Sequence, residues 1–388
     1  MIINEANRLS FIKEYYFSKK LREVRALVAA GKPIINLGIG NPDMAPSEET
    51  INALKNSADV KLNHGYQPYK GIPELNEAIA KWYMNTYNVS LKPESEILPL
   101  IGSKEGINHI SQAFLNPGDV ALVANPGYPS YSSATRLAGG EPQTYKLDES
   151  NHWEPKWSEL NQTLLDEAKI WWLNYPNMPT GARGNKAIFE KAIQIARKHK
   201  ILIVNDNPYS LILNQTEPLS IHQVRESKDV VLELNSLSKS HNMAGWRVGF
   251  LTGAEDYINS VLKVKSNIDS GMFKPLQEAA IVAMSLNEEW HQERNKVYEN
   301  RRKHVFAIMD ALGCSYDKNS IGMFVWGKIP DRYEKVESLT EQILHEANVF
   351  VTPGFIFGDG GERYIRISLC NSEEKIIEAE KRIKALSL

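Results

Sequence analysis

Lys239 stands in the segment Ser236-Leu237-Ser238-Lys239-Ser240, directly after the apolar run Val230–Leu234 and shortly before Arg247 and Gly249. An amine that does covalent chemistry on a carbonyl must be held against its electrophile, with neighbouring groups that anchor the electrophile's phosphate. Ser236, Ser238 and Arg247 are of the right types. A lysine near serines means little by itself in a chain with 45 Lys and Arg residues, most of them solvated. The composite of two serines, lysine, seven residues, arginine, one residue and glycine, placed at a strand end, is far more specific.

This stretch resembles the lysine signature of the class I/II aminotransferases, which carry pyridoxal phosphate (PLP) on fold type I, and further segments of that family follow in order along the chain. The resemblance covers roughly residues 15–385. It implies that Lys239 holds PLP as a Schiff base and shuttles the substrate's α-proton. Asp206, in Asp206-Asn207-Pro208-Tyr209 after the apolar run Ile201–Asn205, matches the carboxylate that keeps the ring nitrogen protonated. Tyr209 matches the donor to the ring's phenolic oxygen; alone, the segment reads as an Asp-Pro turn. Lys239, Asp206 and Tyr209 form the expected catalytic set.

Cofactor contacts follow from the same resemblance. Tyr128, in Asn125-Pro126-Gly127-Tyr128, matches the aromatic that stacks on the ring. Gly102-Ser103-Lys104 lies between a strand and a helical pattern, so backbone N–H groups and the helix dipole join Ser236, Ser238 and Arg247 around the phosphate. Tyr66 matches a tyrosine that reaches the phosphate of a neighbouring subunit, which implies a homodimer with shared sites. The segment Pro176-Asn177-Met178-Pro179-Thr180-Gly181 departs from the family, which has a second asparagine where Met178 stands. Methionine has no N–H to give the phenolic oxygen, so either Asn177 shifts to substitute or Tyr209 carries the contact alone. The Asn125–Pro126 and Met178–Pro179 peptide bonds are expected to be cis.

On the substrate side, Arg366 lies in Gly361–Ser368, where alternation puts Tyr364, Arg366 and Ser368 on one face of a strand. A guanidinium holds a carboxylate bidentately, and the resemblance gives Arg366 the substrate α-carboxylate. Gly40 is placed at the substrate turn. A dinucleotide-binding reading of Gly38 and Gly40 fails, because Asp43 occupies the third glycine position. Lys104 is open to two readings: a partner for a distal substrate carboxylate, or a solvated helix-start lysine.

The elements that must position these residues are short β-type runs alternating with helical patterns. Strands are expected at 97–101, 120–124, 170–174, 201–205, 230–234 and 248–252, and helices at 103–114, 129–138, 186–199 and 254–266. The motifs fall just after strands, where open α/β sheets place ligands. The expected fold is α/β, a mostly parallel sheet covered by helices, with a smaller α+β domain. The large domain spans 46–280; the small one combines 1–45 with 281–388, opening on a charged helix at 287–312 and closing on one at 373–386.

The composition narrows the function classes. With 388 residues there is material for two domains, and 45 basic against 47 acidic side chains give a net charge of −2, which recruits neither nucleic acid nor an anionic membrane. Two cysteines are too few for a disulfide framework, and no signal-like or membrane-spanning apolar run occurs, so the cytoplasm is expected. The expected activity is transfer of an α-amino group from an amino acid to a 2-oxo acid, with PLP as cofactor and no metal. An elimination lyase on the same scaffold and a PLP-binding sensor without turnover stay open as alternatives.

Overall fold

A computed structural model describes residues 3–10 and 16–386. Residues 1–2 and 11–15 of the expected small domain, and residue 15 of the family resemblance, lie outside the described residues.

The central feature is an eight-stranded sheet in the order 97–100, 249–253, 231–236, 202–206, 168–173, 120–125, 141–148, 154–155. The five strands from 231–236 to 141–148 run parallel; 249–253 is antiparallel to both its neighbours. Parallel strands are buried on both faces and read as continuous apolar runs. Ile170, Trp171, Trp172 and Leu173 are all fully buried accordingly. The sequence did not announce the strand Glu141–Asp148, whose outer half is exposed and polar.

Helices cover both faces. Lys186–His199 starts where the Asn185 side chain accepts the Ile188 N–H at 2.9 Å, and it ends at Lys200 in the left-handed region, with Arg197, Lys198 and His199 against the helix dipole. Its buried residues Ile188, Phe189, Ala192, Ile193 and Ala196 repeat at helical spacing and pack with Trp171, Leu173 and Ile203.

The other domain contains the antiparallel sheet 315–316, 324–328, 364–368, 352–353 and the helices Glu288–Leu312, Val336–Glu346 and Glu373–Lys384. Ile35–Asn36, from the N-terminal part, pairs in parallel with Val349–Phe350. The expected 280/281 boundary falls inside the helix Lys274–Met284, whose Ala280, Ala283 and Met284 pack with Leu75, Ile79 and Phe250.

Candidate active site

The carboxyl ends of three parallel strands converge on one cavity of about 290 Å³, lined by Gly40, Ser103, Lys104, Tyr128, Asp206, Tyr209, Ser236, Ser238, Lys239, Arg247 and Arg366. Eleven of the fourteen residues singled out in the sequence thus meet at one place. Lys239 lies in the helical turn Leu237–Ser240, which begins where the Ser236 hydroxyl accepts the Ser238 N–H at 3.1 Å. Its ammonium donates to the Gly40 carbonyl at 2.5 Å. Burial pulls the ammonium down to about 8, with Cys370 opposing and Arg366 and Arg247 adding to the fall. A lysine so placed has a neutral, nucleophilic fraction near neutral pH.

One wall is an anion cradle. Ser236 and Ser238 hydroxyls lie 2.8 Å apart, and Arg247 Nη1 donates to Ser238 Oγ at 3.3 Å. Beside them begins the twelve-residue helix Ser103–Phe114, whose first residues Ser103 and Lys104 line the cavity. Gly102 has φ +81°, and a Cβ there would lie 2.1 Å from Arg247 Nη2; one on Gly249 would lie 2.7 Å from the Ser103 nitrogen. Only glycine lets this helix start, the Arg247 guanidinium and the strand end approach so closely. Gly102 itself stands behind Arg247 rather than on the cavity wall.

The opposite end holds Asp206. Tyr131 donates to its Oδ2 at 2.9 Å, while Oδ1 is buried with no hydrogen-bond partner among the described residues. Burial raises this carboxyl to about 7, the Tyr131 bond opposes the rise and Glu233 adds to it. A buried carboxylate oxygen lacking a donor is costly, and a bound N–H cation would satisfy it. Tyr128 stands between these ends, edge-on to Tyr131 at 5.5 Å, and Tyr131 stacks on Trp172 at 5.0 Å. The cavity can thus hold a ring nitrogen at Asp206 and a phosphate at Arg247.

Arg366, on the strand Tyr364–Ser368, enters from the other domain. Its guanidinium lies 4.0 Å from the Phe324 ring centroid and 4.7 Å from that of Phe357, and Nη2 donates to the Gly38 carbonyl at 2.9 Å. Two aromatic faces and one backbone carbonyl thus bear on the fork.

Besides Gly102, two expected residues are not brought to the cavity. Asn177 spends its amide inside its own turn: Oδ1 accepts from Thr180 Oγ1 at 2.7 Å and Nδ2 donates to the Asn174 carbonyl at 3.2 Å. The position beside Arg366 is taken by Met178, whose sulfur lies 3.3 Å from Nη1. Tyr66 is 93% exposed in the isolated chain and does not line its own cavity. Asn125–Pro126 and Met178–Pro179 are cis, and so is Tyr175–Pro176, which the sequence reading did not single out.

Sequence reasoning passed over Tyr131, Asn174, Pro208, Ala244 and Phe324, all on the cavity wall. Tyr131 had a visible signal: it follows Tyr128 by three residues at a helix start, so both rings share one face. Asn174 donates to the Asp206 carbonyl at 2.6 Å and accepts the Met178 N–H at 2.8 Å, tying the two strand ends together.

The family described as aminotransferase class I and II matches residues 32–383. An LL-diaminopimelate aminotransferase of Oleidesulfovibrio alaskensis is 41% identical over 98% of both chains, and one of Aquifex aeolicus is 38% identical over 99% of both. Among solved structures, apo-BacF of Bacillus subtilis superposes with a TM-score of 0.95 at 36% identity, covering 100% of this chain and 99% of that one.

Proposed function

The chain belongs to the class I and II aminotransferases, and on that premise we propose that its cavity holds pyridoxal phosphate and takes LL-diaminopimelate, or a close diamino dicarboxylic acid, as amino donor. The elimination and sensor alternatives are set aside, since the full-length relatives are aminotransferases. The observation that carries the reading is one cavity walled by a buried lysine, an orphaned carboxylate and an arginine fork. When bound, the cofactor supplies a carbonyl for the amino group and an electron-withdrawing ring. Ser236, Ser238, Arg247 and the N–H groups of residues 103–104 would hold its phosphate, Tyr128 its ring face, Asp206 its ring nitrogen and Tyr209 its phenolic oxygen.

The rest is done by the chain's own groups. Arg366 fixes the substrate carboxylate, so that the α-hydrogen faces Lys239. Lys239 Nζ, with its proton affinity lowered by burial, takes that proton and returns it during the same half-reaction. Phe324, Phe357 and Met178 keep bulk water from the Arg366 side. Lys104, at the mouth, meets the donor's distal carboxylate. A panel of amino donors with 2-oxoglutarate tests this: kcat/KM for LL-diaminopimelate should exceed that for alanine or aspartate by at least about tenfold, the value of one extra ionic contact. Equal rates across the panel would remove the donor assignment, and ammonia release would return the elimination reading.

We further propose a homodimer with shared sites. Leu62, Tyr66, Ile268 and Phe273 are all exposed, and Gly271 packs on the Gln67 and Pro68 backbone while Phe273 meets His64, so these side chains form one apolar face. A second copy would cover it and bring Tyr66 to the neighbour's phosphate. Mixing Lys239→Ala and Tyr66→Ala proteins under subunit exchange should raise activity, because one site per heterodimer then draws intact Lys239 and Tyr66 from different chains. With Tyr66→Ala itself strongly impaired and exchange confirmed by mass spectrometry, no recovery would place Tyr66 outside the shared site. A cytoplasmic location is also proposed, on the support of two unpaired cysteines.

A further inference from the structure

Glu233 is fully buried in the strand Val231–Ser236, beside Asn205 on the neighbouring parallel strand that ends in Asp206. Four donors converge on its carboxylate. Oε1 accepts from Tyr83 Oη at 3.1 Å and Ser220 Oγ at 2.7 Å; Oε2 accepts from Asn205 Nδ2 at 2.9 Å and the Ile221 N–H at 3.1 Å. Behind these donors, Thr252 Oγ1 offers its one proton to Tyr83 Oη or to the Glu233 carbonyl, and the His222 N–H donates to Ser220 Oγ. Such a set places a donor at each of the four lone-pair sites of the carboxylate.

All four partners are neutral, so the charge is solvated by dipoles and cancelled by no cation. The titratable groups around it do not cancel it either. Tyr83 and Tyr87 are pushed up by burial and by Glu233, which keeps them neutral, and His222 is pushed down by burial. The Lys228 ammonium pairs with Glu96 at 2.8 Å. Asp206 remains as the group on the cavity side.

The same bonds reach the two turns that flank Asp206. Ser220 and Ile221 close the loop that starts at Asn207 and carries Tyr209. Asn205 accepts the Tyr175 N–H at 3.1 Å, at the start of the turn that carries Met178. Both walls beside Asp206 therefore hang on one buried anion.

We propose that Glu233 is a positioning residue of the active site: a second buried carboxylate, behind Asp206, that holds the two turns flanking Asp206 and acts on the proton between Asp206 and the ring nitrogen it faces. The inference rests on the cofactor reading above. Its negative potential acts through the interior, where charges are weakly screened, and Asp206 conveys it to the cavity.

The test is Glu233→Gln, which keeps volume and removes charge. In the cofactor-free full chain, 13C NMR of the Asp206 carboxyl should show at least a threefold lower proton affinity than wild type. In protein loaded with pyridoxal phosphate labelled with 15N in the ring, the nitrogen should lose its proton at a pH lower by a similar factor. The kcat for transamination should fall about tenfold, with KM for the donor changed less than threefold. Unchanged titration at Asp206 overturns the proposal even if activity falls, because a purely structural role moves only the latter. Failure to bind the labelled cofactor would instead count against the cofactor reading, and the cofactor-free titration would still decide on Glu233. One measurement needs no variant: infrared difference spectra of 13C-glutamate-labelled wild type should show no buried protonated carboxyl, and such a band at neutral pH overturns the proposal even where Glu233→Gln does not fold.

Discussion

Replacing Lys239 with alanine is expected to lower transamination by at least about 10⁴-fold, the upper range for a general base, because the same side chain is also the covalent anchor. The chain should still fold. The amine packs against one carbonyl, that of Gly40, and its neighbours Leu237, Ser238 and Ser240 are held by the strand end and by Ser236. Borohydride reduction of loaded wild type followed by peptide mapping should place the cofactor on Lys239, and label on another lysine would remove the assignment. The low proton affinity adds a pH signature. Only the neutral amine attacks a carbonyl, so the capture rate in cofactor-free protein should rise about tenfold per unit below pH 8 and level off above it. A rate that climbs without a plateau to pH 10 would show that burial does not depress this lysine.

Much of this site was legible because parallel strands announce themselves. Ile201–Asn205 and Val230–Leu234 are apolar runs that stop at Asp206 and Asn235-Ser236, and the polar residue after such a run is the one that reaches the ligand end of the sheet. The helices Ser103–Phe114 and Lys186–His199 were legible to the residue, since a glycine or asparagine starts each and the apolar stripe repeats at helical spacing. Glu141–Asp148 was not, because an edge region with an exposed outer half lacks the apolar run. The expected 280/281 boundary falls within Lys274–Met284, which is apolar on most sides, and charge returns only with Glu288 and Glu289.

The site residues that stayed hidden did so for a different reason. Their roles depend on neighbours distant in sequence. Phe324 matters only because strand pairing sets Trp326 opposite Arg366 and brings Phe324 under the guanidinium. Asn177 looked available on the strength of its type, yet Thr180 and Asn174 occupy its amide. Glu233 reads as one charge inside an apolar strand, and its four donors come from residues 83, 205, 220 and 221. A lone carboxylate in a fully apolar run was the available signal.

Replacing Asp206 with alanine is the sharpest test of how the ring end works. The expected result is a protein that still binds pyridoxal phosphate, since Lys239 and the Ser236, Ser238 and Arg247 cradle are untouched, but whose α-proton transfer in single turnover falls roughly 10²- to 10³-fold, as for loss of one preorganised electrostatic partner. Asp206 Oδ1 is a buried oxygen with no donor among the described residues. Burial makes this carboxyl hold its proton up to about pH 7. In the proposed site the carboxylate would ionise opposite a protonated ring nitrogen, hold that charge and so keep the ring electron-withdrawing while the α-hydrogen leaves. Alanine removes the partner and leaves the Tyr131 hydroxyl, a donor, facing the nitrogen's side of the cavity. Asp206→Asn should be impaired to a similar degree despite its matched volume, because an amide carries no charge to hold the ring proton. Single-turnover rates within a few-fold of wild type for either variant, at full cofactor occupancy, would show that another group protects the ring nitrogen.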